Sequence, residues 1–213
     1  MKNMIIFDFD GTISNSVDIV YRVYEKLATE YGFKHFTHEE IHELKMLSIH
    51  ERLKKHHVSI FQLPKLARKT RKIVSELIEE TYPFEGIKDL LELLKEKGLI
   101  LSIVSSNSKK NIESFIRNHG LIEFDYIYGK ASFFGKERLI RKLLKKEKDA
   151  KAIYVGDELR DIVSAKEVPI DIISVTWGFD DITLLEAEEP TYITTSIEGL
   201  KDLLLNYAFQ SNH

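Results

Sequence analysis

The sequence predicts an α/β chain built on a doubly wound parallel sheet, and three observations carry that prediction. Short, mostly apolar runs at Ile5–Phe7, Leu99–Val104, Ala152–Val155 and Ile170–Val175 read as strands buried on both faces, as in a parallel sheet. Segments of helical period lie between them, and this alternation places helices on both faces of the sheet. Asp8, Ser105 and Asp157 stand directly after apolar runs, where parallel sheets open their functional crevice; Lys136 stands where another such run is expected.

The first strand ends in Asp8-Phe9-Asp10-Gly11-Thr12. Asp8 and Asp10 are two apart, so extended backbone points both the same way. Gly11 lets the chain turn sharply past them. Two carboxylates in one crevice repel and need a cation or a shared proton to coexist. A strand gains no stability from that arrangement, which favours chemistry, although Asp before Gly is also ordinary turn chemistry.

Val17, Val20, Val23, Tyr24, Leu27 and Tyr31 then recur at helix spacing, and Gly32 closes the run. Thr37 with Glu40 is a capping-box pattern that opens a helix through Ile41, Leu44 and Leu47. A further helix is predicted from about Pro64 to Thr81, with Pro in its first turn. No strand pattern occurs from Ser14 to Tyr82. Residues 14–82 therefore read as a helical insertion, and residues 1–13 and 83–213 as one core domain. The middle of the insertion is basic: Lys45, Arg52, Lys54, Lys55, Lys65, Arg68, Lys69, Arg71 and Lys72. A solvated helical face is the first reading of such a run, and a rim that attracts an anionic substrate is the second. His56 and His57 are adjacent and do not share a helix face, so they are a poor zinc pair.

Pro83–Gly86 returns the chain to the core. Ile87, Leu90, Leu91 and Leu94 give an amphipathic helix that stops at Gly98. The strand Leu99–Val104 runs into Ser105-Ser106-Asn107-Ser108, and a helix follows through Ile112, Phe115 and Ile116 to Gly120. Asn107 or Ser108 can cap that helix. The hydroxyl of Ser105, at such a helix start, is suited to a phosphoryl oxygen. Phe124–Tyr128 is a short strand, and Lys136 opens a helix striped by Leu139, Leu143 and Leu144. On its own, Lys136 would be a surface lysine. Ala152–Val155 leads into Gly156-Asp157-Glu158-Leu159-Arg160-Asp161. Asp157 and Asp161 are four apart and share a face if a helix begins at Asp157. Alone they would be acids that complement a helix dipole. The strand Ile170–Val175, Trp177-Gly178-Phe179, an edge strand at Tyr192-Ile193 and a closing helix Ile197–Tyr207 complete the chain, with a frayed tail after Ala208.

At 213 residues, 43% hydrophobic and 31% charged, the chain holds one sizeable core and a smaller module. A net charge of −3 offers no broad basic field for nucleic acid. Cysteine is absent, which excludes disulfides, thiolate metal sites and cysteine nucleophiles. The start, Met1-Lys2-Asn3 and then strand, has no signal-peptide pattern, and no run is long enough to span a membrane. The expected setting is cytoplasmic, as a monomer or homodimer.

Taken together, Asp8-Phe9-Asp10-Gly11-Thr12, Ser105, Lys136 and Gly156-Asp157 with Asp161 resemble the motifs of the haloacid dehalogenase-like superfamily in order, type and spacing. Most members of that superfamily are phosphohydrolases. The resemblance runs from Met4 to about Leu203. The insertion's position, Gly156-Asp157-Glu158 with Arg160-Asp161, and Val175-Thr176-Trp177-Gly178-Phe179 are similar to the phosphoglycolate phosphatase-like branch, which implies a Rossmann-like core with a helical cap. Asn15 stands where that branch usually has Asp, and Lys136 lacks the Pro that often follows; neither departure removes a reacting group.

The resemblance implies roles. Asp8 would attack phosphorus and form an aspartyl-phosphate. Asp10 would protonate the leaving alcohol and later deprotonate the attacking water. Mg2+ would be held by Asp8, the backbone carbonyl of Asp10 and Asp157, with Asp161 behind them. Ser105, Ser106, Lys136, Gly11 and Thr12 would hold phosphoryl oxygens. The implied substrate is a small phosphorylated metabolite such as phosphoglycolate. The alternatives are a phosphomutase of the same fold and a non-catalytic phosphate-binding or regulatory protein, the latter disfavoured by the intact acids, serine and lysine.

Overall fold

The computed structural model describes residues 2–32, 80–130, 135–148 and 150–209, with isolated positions between 35 and 77. Strands β1 (Lys2–Phe7), β2 (Ile100–Val104), β3 (Tyr126–Tyr128), β4 (Ala150–Gly156), β5 (Asp171–Val175) and β6 (Tyr192–Thr194) form one sheet. Its order is β3-β2-β1-β4-β5-β6, and every neighbouring pair is parallel. The helices whose whole span is described are α1 (Val17–Tyr31), α2 (Ile87–Glu96), α3 (Lys109–Asn118), α4 (Lys136–Lys146), α5 (Leu159–Glu167), α6 (Ile182–Ala187) and α7 (Ile197–Phe209).

Strand alternation explains the layers. Ile5 and Phe7 face a core completed by Ile87, Leu91 and Leu94 of α2, Phe115 of α3 and Leu200 and Leu204 of α7. Met4 and Ile6 face the opposite side, against Ile140 of α4, Ile162 of α5 and Leu185 of α6. Ile5, Ile6 and Phe7 are buried on the central strand, and each such side chain contributes roughly 1.5–3 kcal/mol of burial. The chain builds outward from β1 through β2 and β3, then returns to lay β4 on the other side of β1. In such sheets this reversal opens a crevice beyond the strand ends. Phe7 is in register with Val155, and the Asp8 N–H donates to the Val155 carbonyl at 2.8 Å. Asp8 and Asp157 therefore leave adjacent strands at nearly the same level.

The insertion leaves and returns at one point. Ser14 bridges to Pro83, and the Asn15 N–H donates to the Tyr82 carbonyl at 2.8 Å. Gly32 ends α1 in the left-handed conformation, its N–H on the Ala28 carbonyl. The Thr37–Glu40 capping box forms: the Glu40 N–H donates to Thr37 Oγ1 at 3.2 Å and the Thr37 N–H to Glu40 Oε2 at 3.0 Å. Ile41 and Leu44, and the predicted start at Pro64, lie outside the described residues. Ile73 and Leu77 pack on Ile19, Val23 and Leu27 of α1 as a separate small core.

Two element starts and one short helix go beyond the sequence reading. α5 begins at Leu159, because Glu158 and Asp161 form a reciprocal capping box. Asp157 thus precedes the helix and does not share its face with Asp161. β3 starts only at Tyr126, since Asp125 spends its side chain as well as its N–H on Leu101. The short α6, capped by the Asp181 carboxylate on the Thr183 N–H at 2.9 Å, had no strong periodic signal. No helix among the described residues is long and apolar enough to cross a membrane.

Candidate active site

Asp8, the first residue after β1, is buried. Its Oδ1 accepts the Phe9 N–H at 2.7 Å, and its Oδ2 lies 2.5 Å from Lys136 Nζ. Lys136 opens α4, and its Nζ lies 2.5 Å from Asp161 Oδ1 as well. Asp161 Oδ2 accepts the Glu158 N–H at 3.2 Å, so the helix cap fixes the carboxylate that fixes the lysine.

Asp157 follows β4. Its Oδ1 accepts the Thr12 hydroxyl at 2.7 Å and its Oδ2 accepts the Phe179 N–H at 2.9 Å. Gly11 is required on two counts: its φ is +76°, and a Cβ there would overlap the Asp157 carboxylate. A Cβ at Gly178 would overlap the Asp157 side chain as well. Oxygens of Asp8, Asp157 and Asp161 all lie within 4.8 Å of one another.

The electrostatics follow from that crowding. Burial, and then Glu158, Asp8 and Asp161, hold the Asp157 carboxyl well above the ordinary aspartate range. Burial pushes Asp161 up to about 6, even though Lys136 pulls it down. Burial acts against the Lys136 ammonium, yet Asp161 and Asp8 together outweigh it and raise its pKa. Lys136 touches two of the three clustered acids, Asp8 and Asp161. Hard carboxylate oxygens at this separation fit a divalent cation such as Mg2+.

Asp10 lies two residues beyond Asp8, close enough to feel its charge. Burial, and then the Asp8 charge, push it up to about 6, while hydrogen bonds from Asn107 and Ser16 oppose the rise. Asn107 Nδ2 donates to both Asp10 oxygens, at 3.0 and 3.2 Å. Ser105 is fully buried; its Oγ accepts the Asn107 N–H at 3.1 Å, and its own N–H donates to the Tyr128 carbonyl at 3.0 Å. The Ser105 hydroxyl hydrogen can therefore point at a substrate oxygen.

The structure brings Asp8, Lys136, Asp157 and Asp161 together directly. The Thr12 hydroxyl, expected at the phosphate, sits on Asp157. The Ser106 hydroxyl accepts from Arg160 Nη2 at 3.4 Å, and Arg160 is also ion-paired with Glu158. Four residues with supporting contacts escaped the sequence reading. In sequence, Asn107 reads only as a cap and Arg160 only as part of the acidic turn. Tyr154 carries no sequence signal beyond a buried strand position; its hydroxyl donates to the Val104 carbonyl at 2.9 Å and its ring centre lies 5.9 Å from Lys136 Nζ. In sequence, Lys45 of the insertion is one of many basic residues. Its Nζ donates to the Gly178 carbonyl at 3.1 Å, and its carbonyl accepts the Asp181 N–H at 3.1 Å. Lys69 of the basic face is paired with Glu30 at 2.7 Å.

Residues 5–175 match the model of the haloacid dehalogenase-like hydrolase family. The chain belongs to that family. Among its relatives, a phosphoglycolate phosphatase of Synechococcus elongatus is 32% identical over 203 residues, covering 94% of each chain. A pyrophosphatase, PpaX, of Bacillus mycoides is 23% identical over 214 residues, covering 95% of this chain and 96% of the relative. The crystal structure of a predicted phosphatase from Clostridium acetobutylicum superposes with a TM-score of 0.82 at 21% identity, covering 97% of this chain and 99% of that one. This haloacid dehalogenase-like hydrolase therefore shares its fold with that structure along nearly its whole length.

Proposed function

We propose that this hydrolase is a Mg2+-dependent phosphatase that cleaves a small phosphate monoester, phosphoglycolate or a related metabolite, through an aspartyl-phosphate on Asp8. The observation that carries this reading is Lys136 Nζ, 2.5 Å from both Asp8 and Asp161, in a cluster where oxygens of Asp8, Asp157 and Asp161 lie within 4.8 Å of one another. A nucleophile, a fixed cation and a set of hard oxygen donors share one crevice. The Asp8 carboxylate attacks phosphorus in line as the bond to the leaving oxygen breaks, and Asp10 gives that oxygen a proton. Asp10 then takes a proton from water, which attacks the phosphorus of the acyl phosphate and restores Asp8. Ser105 and Lys136 hold the phosphoryl oxygens. Asp8, Asp157 and the Asp10 carbonyl would hold Mg2+, with Asp161 behind, and the ion supplies charge neutralisation at the phosphoryl group.

The Synechococcus relative supports a phosphorylated two-carbon acid as substrate, and the Bacillus relative puts pyrophosphate in the same test. Residues 14–82 act as a cap that governs access, and the Lys45 contact ties that insertion to the loop that holds Asp157. The test is phosphate release from phosphoglycolate, pyrophosphate and sugar phosphates. Activity should require Mg2+, vanish with EDTA, fail with Ca2+ and vanish in a folded Asp8→Asn variant. Turnover by Asp8→Asn or in metal-free buffer overturns the reading. Isomerisation of a sugar phosphate without free phosphate would instead make the protein a phosphomutase.

A further inference from the structure

We propose that Asn107 is the positioning residue that aims Asp10 at the leaving group, and that Asn111 in turn fixes Asn107. The inference rests on the role given above to Asp10 as acid. Asn107 is buried on the loop between β2 and α3, and all of its polar atoms are engaged. Its Oδ1 receives the Ser108 N–H at 2.8 Å and Asn111 Nδ2 at 2.9 Å. A backbone N–H can only donate, so the amide atom facing it must be the oxygen. That leaves Nδ2 on the other side, where it meets both carboxyl oxygens of Asp10. The amide cannot turn over without losing both of its Oδ1 donors.

Asn111 is also buried, and its own N–H is held by Ser108 Oγ at 3.1 Å. The first turn of α3 thus supplies a rigid base for the Asn107 amide. The same residue reaches the phosphoryl side of the crevice, because its N–H donates to Ser105 Oγ at 3.1 Å. Its carbonyl accepts the Lys130 N–H at 2.6 Å, which anchors the loop to the end of β3. Asn107 therefore sets the distance between the hydroxyl that holds the phosphoryl group and the acid that serves the leaving oxygen. A positioned proton donor is worth about 10^2–10^4 in rate, and small displacements forfeit much of it.

The readout is leaving-group dependence. An alkyl phosphate departs as a basic alkoxide and needs the proton from Asp10, whereas 2,4-dinitrophenyl phosphate departs without it. The parameter is kcat/KM, which reports steps up to departure of the leaving group and excludes hydrolysis of the shared intermediate. For Asn107→Ala, kcat/KM should fall roughly 30–100-fold with phosphoglycolate and less than about 3-fold with the dinitrophenyl ester, a partial loss of the general-acid effect. Asn111→Ala keeps the Asn107 side chain and removes one contact that orients it; the same selectivity should appear at smaller amplitude. Asp10→Asn sets the scale. If Asp10→Asn is selective and both asparagine variants lose the two substrates equally, Asn107 only shapes the phosphoryl pocket and the inference fails alone. If Asp10→Asn itself loses both equally, the acid role of Asp10 fails and the inference falls with it.

Discussion

Replacing Lys136 by Met removes the ammonium that touches both Asp8 and Asp161 while keeping an unbranched apolar stem of similar length. The lysine is 1% exposed and Asp161 is fully buried, so solvent cannot take over its role. Deleting one partner of a buried ion pair costs about 3–5 kcal/mol, mostly for the charge left behind. For a protein of this size each kcal/mol moves Tm by about 2–4 °C, so the metal-free variant should melt roughly 6–20 °C below wild type at pH 8. The deficit should shrink at pH 5. Without the lysine, Asp161 titrates higher still, and below that pKa it binds a proton and sheds the uncompensated charge. With Mg2+ present, kcat should drop by about 10^2–10^3, as for loss of one charged or hydrogen-bonding group at a developing negative charge. The assays are calorimetry of metal-free protein at both pH values and phosphate release with Mg2+. A variant that melts with wild type at pH 8 would show that the lysine does not lie between the two acids. Unchanged turnover would remove Lys136 from the reaction.

The same crowding predicts an unusual pH profile for the metal-free wild-type protein. Asp10 and Asp161 stand at about 6 when folded, against 3.8 for an ordinary aspartate, and Asp157 stands higher. Between these values the native state binds more protons than the unfolded chain. Stability from these groups is full below 3.8 and declines as pH rises through about 6 and beyond. Melting temperature should therefore fall from pH 5 to 7.5 without metal, and Mg2+ should raise it more at pH 7.5 than at pH 5. A flat difference between the two pH values would count against an acid site relieved by a cation. Thr12→Val deletes the hydroxyl that donates to Asp157 Oδ1 and should weaken Mg2+ binding by about 10–100-fold, read by calorimetric titration. Unaltered affinity would mean that Phe179 alone orients Asp157.

Local periodicity made the strands, and the helices α1, α2, α3, α4 and α7, readable. Mostly apolar runs become parallel strands because both faces are covered, and Val23 and Leu27 recur on one side of α1 because a second helical segment covers it. The Thr37–Glu40 box was legible because both partners lie within one turn. The meeting of Asp8 and Asp157 in one crevice was legible for a topological reason. A parallel sheet presents the residue after each central strand to the same crevice, so Asp8 and Asp157 had to meet wherever β1 and β4 were neighbours. The spacing of Asp157 and Asp161 leaves the start of α5 open: at Asp157, where the two would share a face, or at Leu159, where Asp157 precedes the helix. Only the capping contact of Asp161 on the Glu158 N–H separates the two starts.

The supporting residues follow a different logic. Asn107 and Ser108 are both good cap residues, and nothing in their local sequence ranks them. Ser108 caps α3 through its Oγ, which frees the Asn107 amide for Asp10, a partner 97 residues away. Thr12 commits its hydroxyl to Asp157 across 145 residues, and Lys45 reaches the Gly178 carbonyl across 133. None of these pairings changes the apolar period of the segment that contains it, so periodicity carries no trace of them. Topology assigns a reacting group to a strand end, but a supporting group can come from any element within reach of one hydrogen bond. Supporting contacts are thus the part of the site that one sequence conceals most, and the part in which two chains of the same family can differ while keeping every reacting residue. Differences in leaving-group or substrate preference between this chain and its relatives should map first to Asn107 and Lys45, and only then to the acids.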